Sequence, residues 1–416
     1  MTAEIAILNR TAVALAADSI VTLIGQKGPK TYDSAEKIFR LSRHQPIGIM
    51  IYNNAQFMNV PIEVLVRRFR ESLTIGQFKH LIQVWPDFEA FLLGFKHEDD
   101  DELDHFRVMT REELQDIQKM LLAHMIERIG QKRKPKGAES AEELLDRKIE
   151  ERRQFAEELP LDHPFLAEVS EEAFIERYEP EVIGLMPKSL GPVAVTPELH
   201  RAVTRMMFAI VKSRIRSPAF TGFVFAGFGS EEIFPTLEAI EVDGVYFGKV
   251  RILNRQFVDI DRRGETAAVV PFAEKDMPER FIHGIDRRFE TTLEDLAVSL
   301  VGNAVDKEEL GLDGEAREQA KLVAREQFRE GVDVLKRRSA ASLNSVVNHL
   351  SKKELGEIAY SMVELTSRKR RYSSDFETVG GPIDVAILTR NEGFVWVRRK
   401  HYFDEALNPR YREQRL

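Results

Sequence analysis

The sequence predicts an α+β fold: two antiparallel β-sheets with helices outside both, a four-layer αββα sandwich. Three observations point to it. Apolar runs of strand length come in groups at the N-terminus (AEIAIL, AVALAA, KIFRLS, IGIMIY), in the middle (FTGFVFAGFG, PTLEAIEVDG, VYFGKVRIL) and near the C-terminus (IDVAIL, GFVWV). Segments with helical spacing separate these groups. Two facing sheets with outer helices would bury all of these runs.

Residues 3–8 and 12–17 are split only by Asn9-Arg10 and neighbours, which predicts two strands around a tight turn. Residues 37–42 and 47–52 repeat the pattern, and such continuous apolar runs suit strands covered on both faces. Residues 59–73 have helical spacing with Pro61 near the start. From 76 to 195 the chain reads as a mostly helical insertion, including the acidic stretch HEDDDELDH, the basic KRKPK and a charged helix. Thr196 followed by Pro197 and Glu198 signals the start of a core helix running to 213. Three strands follow between 220 and 253, separated by Gly-rich or Asp-Gly turns. Residues 259–350 read as a helical elaboration, partly exposed around 325–339. Ser351 opens another helix to 372, and 383–399 is a hairpin around Asn-Glu-Gly. The core is thus expected in three parts, 1–75, 196–258 and 351–416, interrupted by 76–195 and 259–350.

Composition narrows the function. The chain has 416 residues, 43% hydrophobic and 31% charged, which is ordinary for a globular protein with more than one folded unit. A net charge of -8 gives no support to a general role on nucleic acid or an anionic membrane. With no cysteine there is no disulfide, thiolate metal site or Cys nucleophile, and a reducing cytoplasm is the expected compartment. No secretory signal is evident, and no apolar run approaches the ~20 residues of a membrane span. HEDDDELDH reads as a solvated acidic loop in preference to a metal site, GFGS as a turn, and KRKPK and RKRR as solvated helix ends or subunit contacts.

The residues with chemistry lie at the start. Removal of Met1 would leave Thr2 with a free amine and a hydroxyl, a nucleophile carrying its own base. An α-amine titrates near pH ~7.7–8.0, so it can take the hydroxyl proton near neutrality. Asp18 ends the second strand and, in an antiparallel pair, returns to the end where Thr2 begins. Lys37 opens the third strand and can reach the same end; there it would favour deprotonation of the hydroxyl, with Asp18 holding it charged and in place. Thr22 follows in the loop after Asp18.

TAEIAI…VALAADSIVT…AEKIFRL…IGIMI resembles the N-terminal half of proteasome β-subunits and related bacterial peptidases, the N-terminal-nucleophile (Ntn) hydrolases. VGGPIDVAILTRNEGFVWV resembles the late Gly-Gly, strand, turn and strand of that family. The resemblance covers roughly residues 1–72, 196–253 and 351–400. It implies a threonine-type peptidase that cleaves amide bonds with Thr2 as nucleophile, Asp18 and Lys37 as catalytic companions, and Thr22 aligning the substrate backbone. Ile20 stands in the substrate channel where the family usually has Arg, and Asn53 stands where a Gly-rich strand end supplies the oxyanion N–H. Asp375, Thr378 and Gly380 are the residues placed to assist from the late motif, in which Val379 replaces a Ser. No metal or organic cofactor is implied. The implied partners are a peptide or protein substrate, further copies of the chain in a ring, and an ATP-driven unfoldase. Two alternatives stand beside this: a non-catalytic assembly subunit that uses the insertion as a partner surface, and, more weakly, a small-molecule amidase.

Overall fold

The structure is a computed structural model and describes residues 2–25, 28–33, 35–95, 99–130, 140–190, 196–307, 313–373, 379–401 and 403. Its strands are β1 (Ala3–Asn9), β2 (Ala12–Ala17), β3 (Val21–Gly25), β4 (Gly28–Tyr32), β5 (Ile38–Arg40), β6 (Ile47–Asn53), β7 (Gln56–Phe57), β8 (Val60–Pro61), β9 (Thr221–Gly227), β10 (Thr236–Tyr246), β11 (Lys249–Asp259), β12 (Ala267–Ala273), β13 (Asp384–Thr389) and β14 (Gly393–Arg398). The helices are α1 (Ile62–Ser72), α2 (Val84–Gly94), α3 (Asp99–Gly130), α4 (Ala141–Glu157), α5 (Glu171–Leu190), α6 (Pro197–Val211), α7 (Asp276–His283), α8 (Arg287–Val305), α9 (Gly314–Val347) and α10 (Lys352–Arg371). The fold is α+β, with two five-stranded antiparallel sheets: β12-β1-β2-β13-β14 and β11-β10-β9-β6-β5.

Local chemistry explains the elements that set the site. The β1–β2 turn closes on Asn9, whose Oδ1 accepts the N–H groups of Thr11 at 2.9 Å and Ala12 at 3.2 Å. Ser351 and Glu354 cap α10 reciprocally, and the Thr196 hydroxyl accepts the Leu199 N–H at 3.2 Å to start α6. Alternate side chains of the first sheet enter different apolar clusters. Ile5, Ile7, Ala14, Ala16 and Ile387 pack with Leu355, Ala359, Met362 and Val363 of α10. Ala6, Leu8, Leu15 and Leu388 pack instead with Met50, Val224, Ala226 and Leu237 of the second sheet. The other face of that sheet, through Ile49, Phe223, Phe225 and Ile240, meets Leu65 and Phe69 of α1 and Trp85 and Phe88 of α2.

Several segments differ from expectation. Residues 267–273, read as part of a helical elaboration, form β12, the edge strand beside β1. Pro271 sits within it, and only an edge strand tolerates a residue that cannot donate to the ladder. Asp243-Gly244, read as a turn, lies inside β10 at a register shift; Phe247-Gly248 makes the turn instead. The later part of HEDDDELDH, read as a loop, is the first turns of α3. Residues 81–92, read as insertion, pack on the second sheet, whereas α3, α4, α5 and α6 share a separate apolar cluster with Tyr246 and Leu253. KRKPK lies outside the described residues, while Arg368, Lys369 and Arg370 pair with Glu364, Asp276 and Glu274.

Candidate active site

Antiparallel pairing assembles the site. Ala17 lies opposite Glu4 on one side and Asp384 on the other, so the start of β1, the end of β2 and the start of β13 meet at one end of the first sheet. The N–H of Asp18 donates to the Ala3 carbonyl at 3.1 Å, and the Ala3 N–H returns to Asp18 Oδ1 at 3.1 Å. Lys37 precedes β5, and its carbonyl accepts the Ile51 N–H of β6 at 2.8 Å. Its side chain leaves the second sheet for the first, where Nζ bonds Asp18 Oδ1 and lies 3.2 Å from Glu4 Oε1. The other Asp18 oxygen accepts the Gly380 N–H at 2.9 Å. Gly380 has φ 153°, in the region that glycine favours, so the loop can turn its N–H onto Asp18.

Glu4 is the residue that the sequence reading missed. Its Oε2 accepts the Thr2 hydroxyl at 3.0 Å. It is therefore placed between the hydroxyl and the ammonium. Thr2, Glu4, Asp18 and Lys37 are each no more than 3% exposed. Two carboxylates thus share one buried cation. Burial disfavours the Glu4 anion most, and Asp18 repels it; Lys37 and the Thr2 hydroxyl only partly offset this, so the carboxyl is pushed up to about 7. A carboxyl titrating there can hold or release a proton near neutral pH, the property that a general base or acid needs.

The other expected site residues divide three ways. Gly380 joins the cluster through Asp18. Ile20 is buried just beyond Ser19, whose N–H donates to the Gly380 carbonyl at 3.1 Å. Asn53 ends β6, two residues past the Ile51 that bonds Lys37, with φ 69°; its side-chain amide donates to the carbonyls of Pro218 at 3.2 Å and Phe220 at 2.6 Å. Thr22 lies in β3 opposite Thr31 of β4, but its side chain is outside the described residues, as are Asp375 and Thr378 altogether. Among the described residues no group of His, Cys, Asp or Glu is arranged to hold a metal ion, and no helix is long and apolar enough to cross a membrane.

No protein-family model matches the chain, and no curated protein matches it in sequence.

Proposed function

We propose that the chain is an N-terminal threonine hydrolase of the proteasome-like type, acting on amide bonds, and that its two sheets and outer helices form the four-layer αββα sandwich of that class. The observation that carries the reading is the buried Thr2–Glu4–Lys37–Asp18 cluster, in which a hydroxyl is already hydrogen-bonded to a carboxyl that titrates near neutrality. Apolar contacts between the sheets, and separately from each sheet to α10 or to α1 and α2, support the layering.

In this reading Met1 is removed and Thr2 Oγ1 attacks the carbonyl carbon of the substrate. The hydroxyl proton passes to Glu4 along the existing hydrogen bond, with the freed α-amine on the same residue as the second base. The proton goes to the departing amine as the C–N bond breaks, leaving an ester on Thr2. Water, deprotonated in the same way, then cleaves that ester and restores the hydroxyl. Lys37 favours the alkoxide-like oxygen, and Asp18, fixed by the Ala3 and Gly380 N–H groups, holds Lys37 in place. Asn53 is at the Lys37 end of the second sheet, where backbone N–H groups would meet the oxyanion, and Thr22 would align an extended peptide.

The test is a mass spectrum of the purified chain after incubation with a peptidyl epoxyketone, which needs both the amine and the hydroxyl of an N-terminal Thr. The expected species lacks Met1 and carries the adduct on Thr2. Retained Met1 without an adduct would sink the reading and favour the second one, a non-catalytic assembly subunit. That alternative draws on one observation: Thr2 is only 3% exposed, so a substrate has no direct access in this conformation.

A further inference from the structure

A cleft of about 740 Å³ opens at one edge of the molecule, bounded by β5, α1 and β14. Five arginines line it: Arg40 and Arg43 from β5 and the turn after it, Arg67 and Arg70 from α1, and Arg399 just past β14. Two glutamates, Glu36 and Glu63, are the acidic lining, a local excess of three positive charges in a chain whose net charge is -8. An excess of positive charge on a concave surface concentrates field where an anion would sit.

Three of the five are also held in place, while Arg67 pairs with Glu71 at 3.2 Å on the exposed face of α1. Arg40 donates from Nε to the Ser42 carbonyl at 2.9 Å and from Nη2 to the Arg43 carbonyl at 2.6 Å, so backbone oxygens fix its guanidinium without neutralising it. Arg70 donates to the Arg40 carbonyl at 3.3 Å, tying α1 to the same turn. Arg399 lies 4.7 Å over the Trp396 ring and 3.1 Å from Glu36. Guanidinium forks held this way meet phosphate or carboxylate oxygens in pairs, with little ordering left to do on binding. A cleft of this volume accommodates a small molecule.

We propose that this cleft is a binding site for a small polyanion, a ligand with two or more phosphate or carboxylate groups. Glu36 and Ile38 line it on either side of Lys37, so it adjoins the Thr2 cluster, but the proposal does not rest on the hydrolase reading. Titration calorimetry on the full chain with tripolyphosphate, and separately with citrate, tests it without any turnover assay. Saturable one-site heat is expected with at least one of the two, weakening as salt is raised. Saturation by tripolyphosphate alone assigns phosphate, and by citrate alone carboxylates. Fluorescence should change with the same midpoint, since Trp396 lines the cleft and Trp85, on α2, is buried against the second sheet. Arg43→Gln, at an exposed position that should leave folding intact, and Arg40→Gln should each weaken binding at least tenfold, while Arg147→Gln on α4 should not. The proposal is overturned if neither anion saturates, or if both cleft variants bind as wild type does.

Discussion

Two of the buried charge clusters among the described residues are built to opposite ends. The first is Thr2, Glu4, Asp18 and Lys37 at the end of the first sheet. The second is Asp243, Arg251, His105 and Ser217, where β10 meets α3 and the segment after α6. In the second, one carboxylate faces one guanidinium. Arg251 spends its remaining donors on the carbonyls of Val211, Ile210, Ser213 and Ile215, and Asp243 also accepts from Ser217 Oγ at 2.5 Å and the Ser217 N–H at 2.9 Å, with His105 Nε2 at 2.9 Å. Burial alone would raise Asp243, but Arg251, His105 and Ser217 outweigh it and hold the carboxyl well below the usual range. In the first cluster one cation serves two carboxylates, and Glu4 is left titrating at about 7. A complete network locks a joint between elements; an incomplete one leaves a proton free to move. The Ser–Asp–His composition of the second cluster is no catalytic triad, since serine and histidine both bond the aspartate and the serine has no base of its own.

The sharpest test of this contrast is removal of the two threonine-site groups. Thr2→Ala should reduce amide hydrolysis to background while the chain still folds, and Lys37→Ala should do so with a further loss of stability, because it leaves two buried carboxylates without their cation; turnover of a fluorogenic peptide and urea midpoints check the two. Wild-type turnover in either variant would break the assignment. Glu4→Gln keeps an acceptor for the Thr2 hydroxyl but cannot take its proton; loss of a general base predicts a fall of about 10²–10⁴-fold in kcat. A fall confined to KM would make Glu4 a positioning residue.

The second cluster should respond in stability instead. Asp243→Ala leaves the Arg251 charge buried without its counter-ion, and breaking such a pair costs about 3–5 kcal/mol, to be read from urea midpoints. The two clusters should also give pH dependences of opposite sign. Between the unfolded value of 4.5 and about 7, the folded chain keeps a proton on Glu4 that the unfolded chain has released. The Glu4 contribution therefore falls as pH rises through that window, by roughly 3 kcal/mol, and Glu4→Gln should remove the slope. Asp243, depressed in the folded state, contributes stability that is present above its unfolded value of 3.8 and is lost only as pH falls through its lower folded value. A Glu4→Gln variant with an unchanged profile between about pH 5 and pH 8 would show that the carboxyl does not hold its proton.

The N-terminal hairpin was legible because its apolar runs and Asn turn are local, and with it the return of Asp18 to Thr2. Lys37 could be placed because it opens a strand whose neighbour, β6, is equally plain in sequence. Glu4 escaped notice because a single carboxylate in AEIAIL reads as an exposed strand position; only pairing with β12 on one side and β2 on the other buries it. The available signal was a charge inside a run apolar on both faces. β12 lies within the stretch 259–350 read as helical; its Pro271 is compatible with the edge position it takes. Asp243-Gly244 looked like a turn because Asp-Gly is a turn pair; here Gly244 has φ 84°, and a Cβ on it would come within 2.5 Å of the His105 ring. That contact joins residues far apart in sequence and has no local signature.

The smallest expected effect comes from the closest chemical comparison. Ser217 and Thr2 each donate a hydroxyl to a buried carboxylate, at 2.5 Å and 3.0 Å. Ser217→Ala removes one charge-assisted hydrogen bond, while Asp243 keeps the Ser217 N–H, His105 and Arg251. A loss of about 1.5–3 kcal/mol is the usual size for such a bond, and the lower end is expected with three donors remaining. Hydrolysis should be unchanged in this variant, because the proton on Ser217 Oγ goes nowhere. If Ser217→Ala lost turnover at wild-type stability, the completeness of a buried network would no longer separate structure from chemistry in this chain, and the second cluster would become the place to look for the nucleophile.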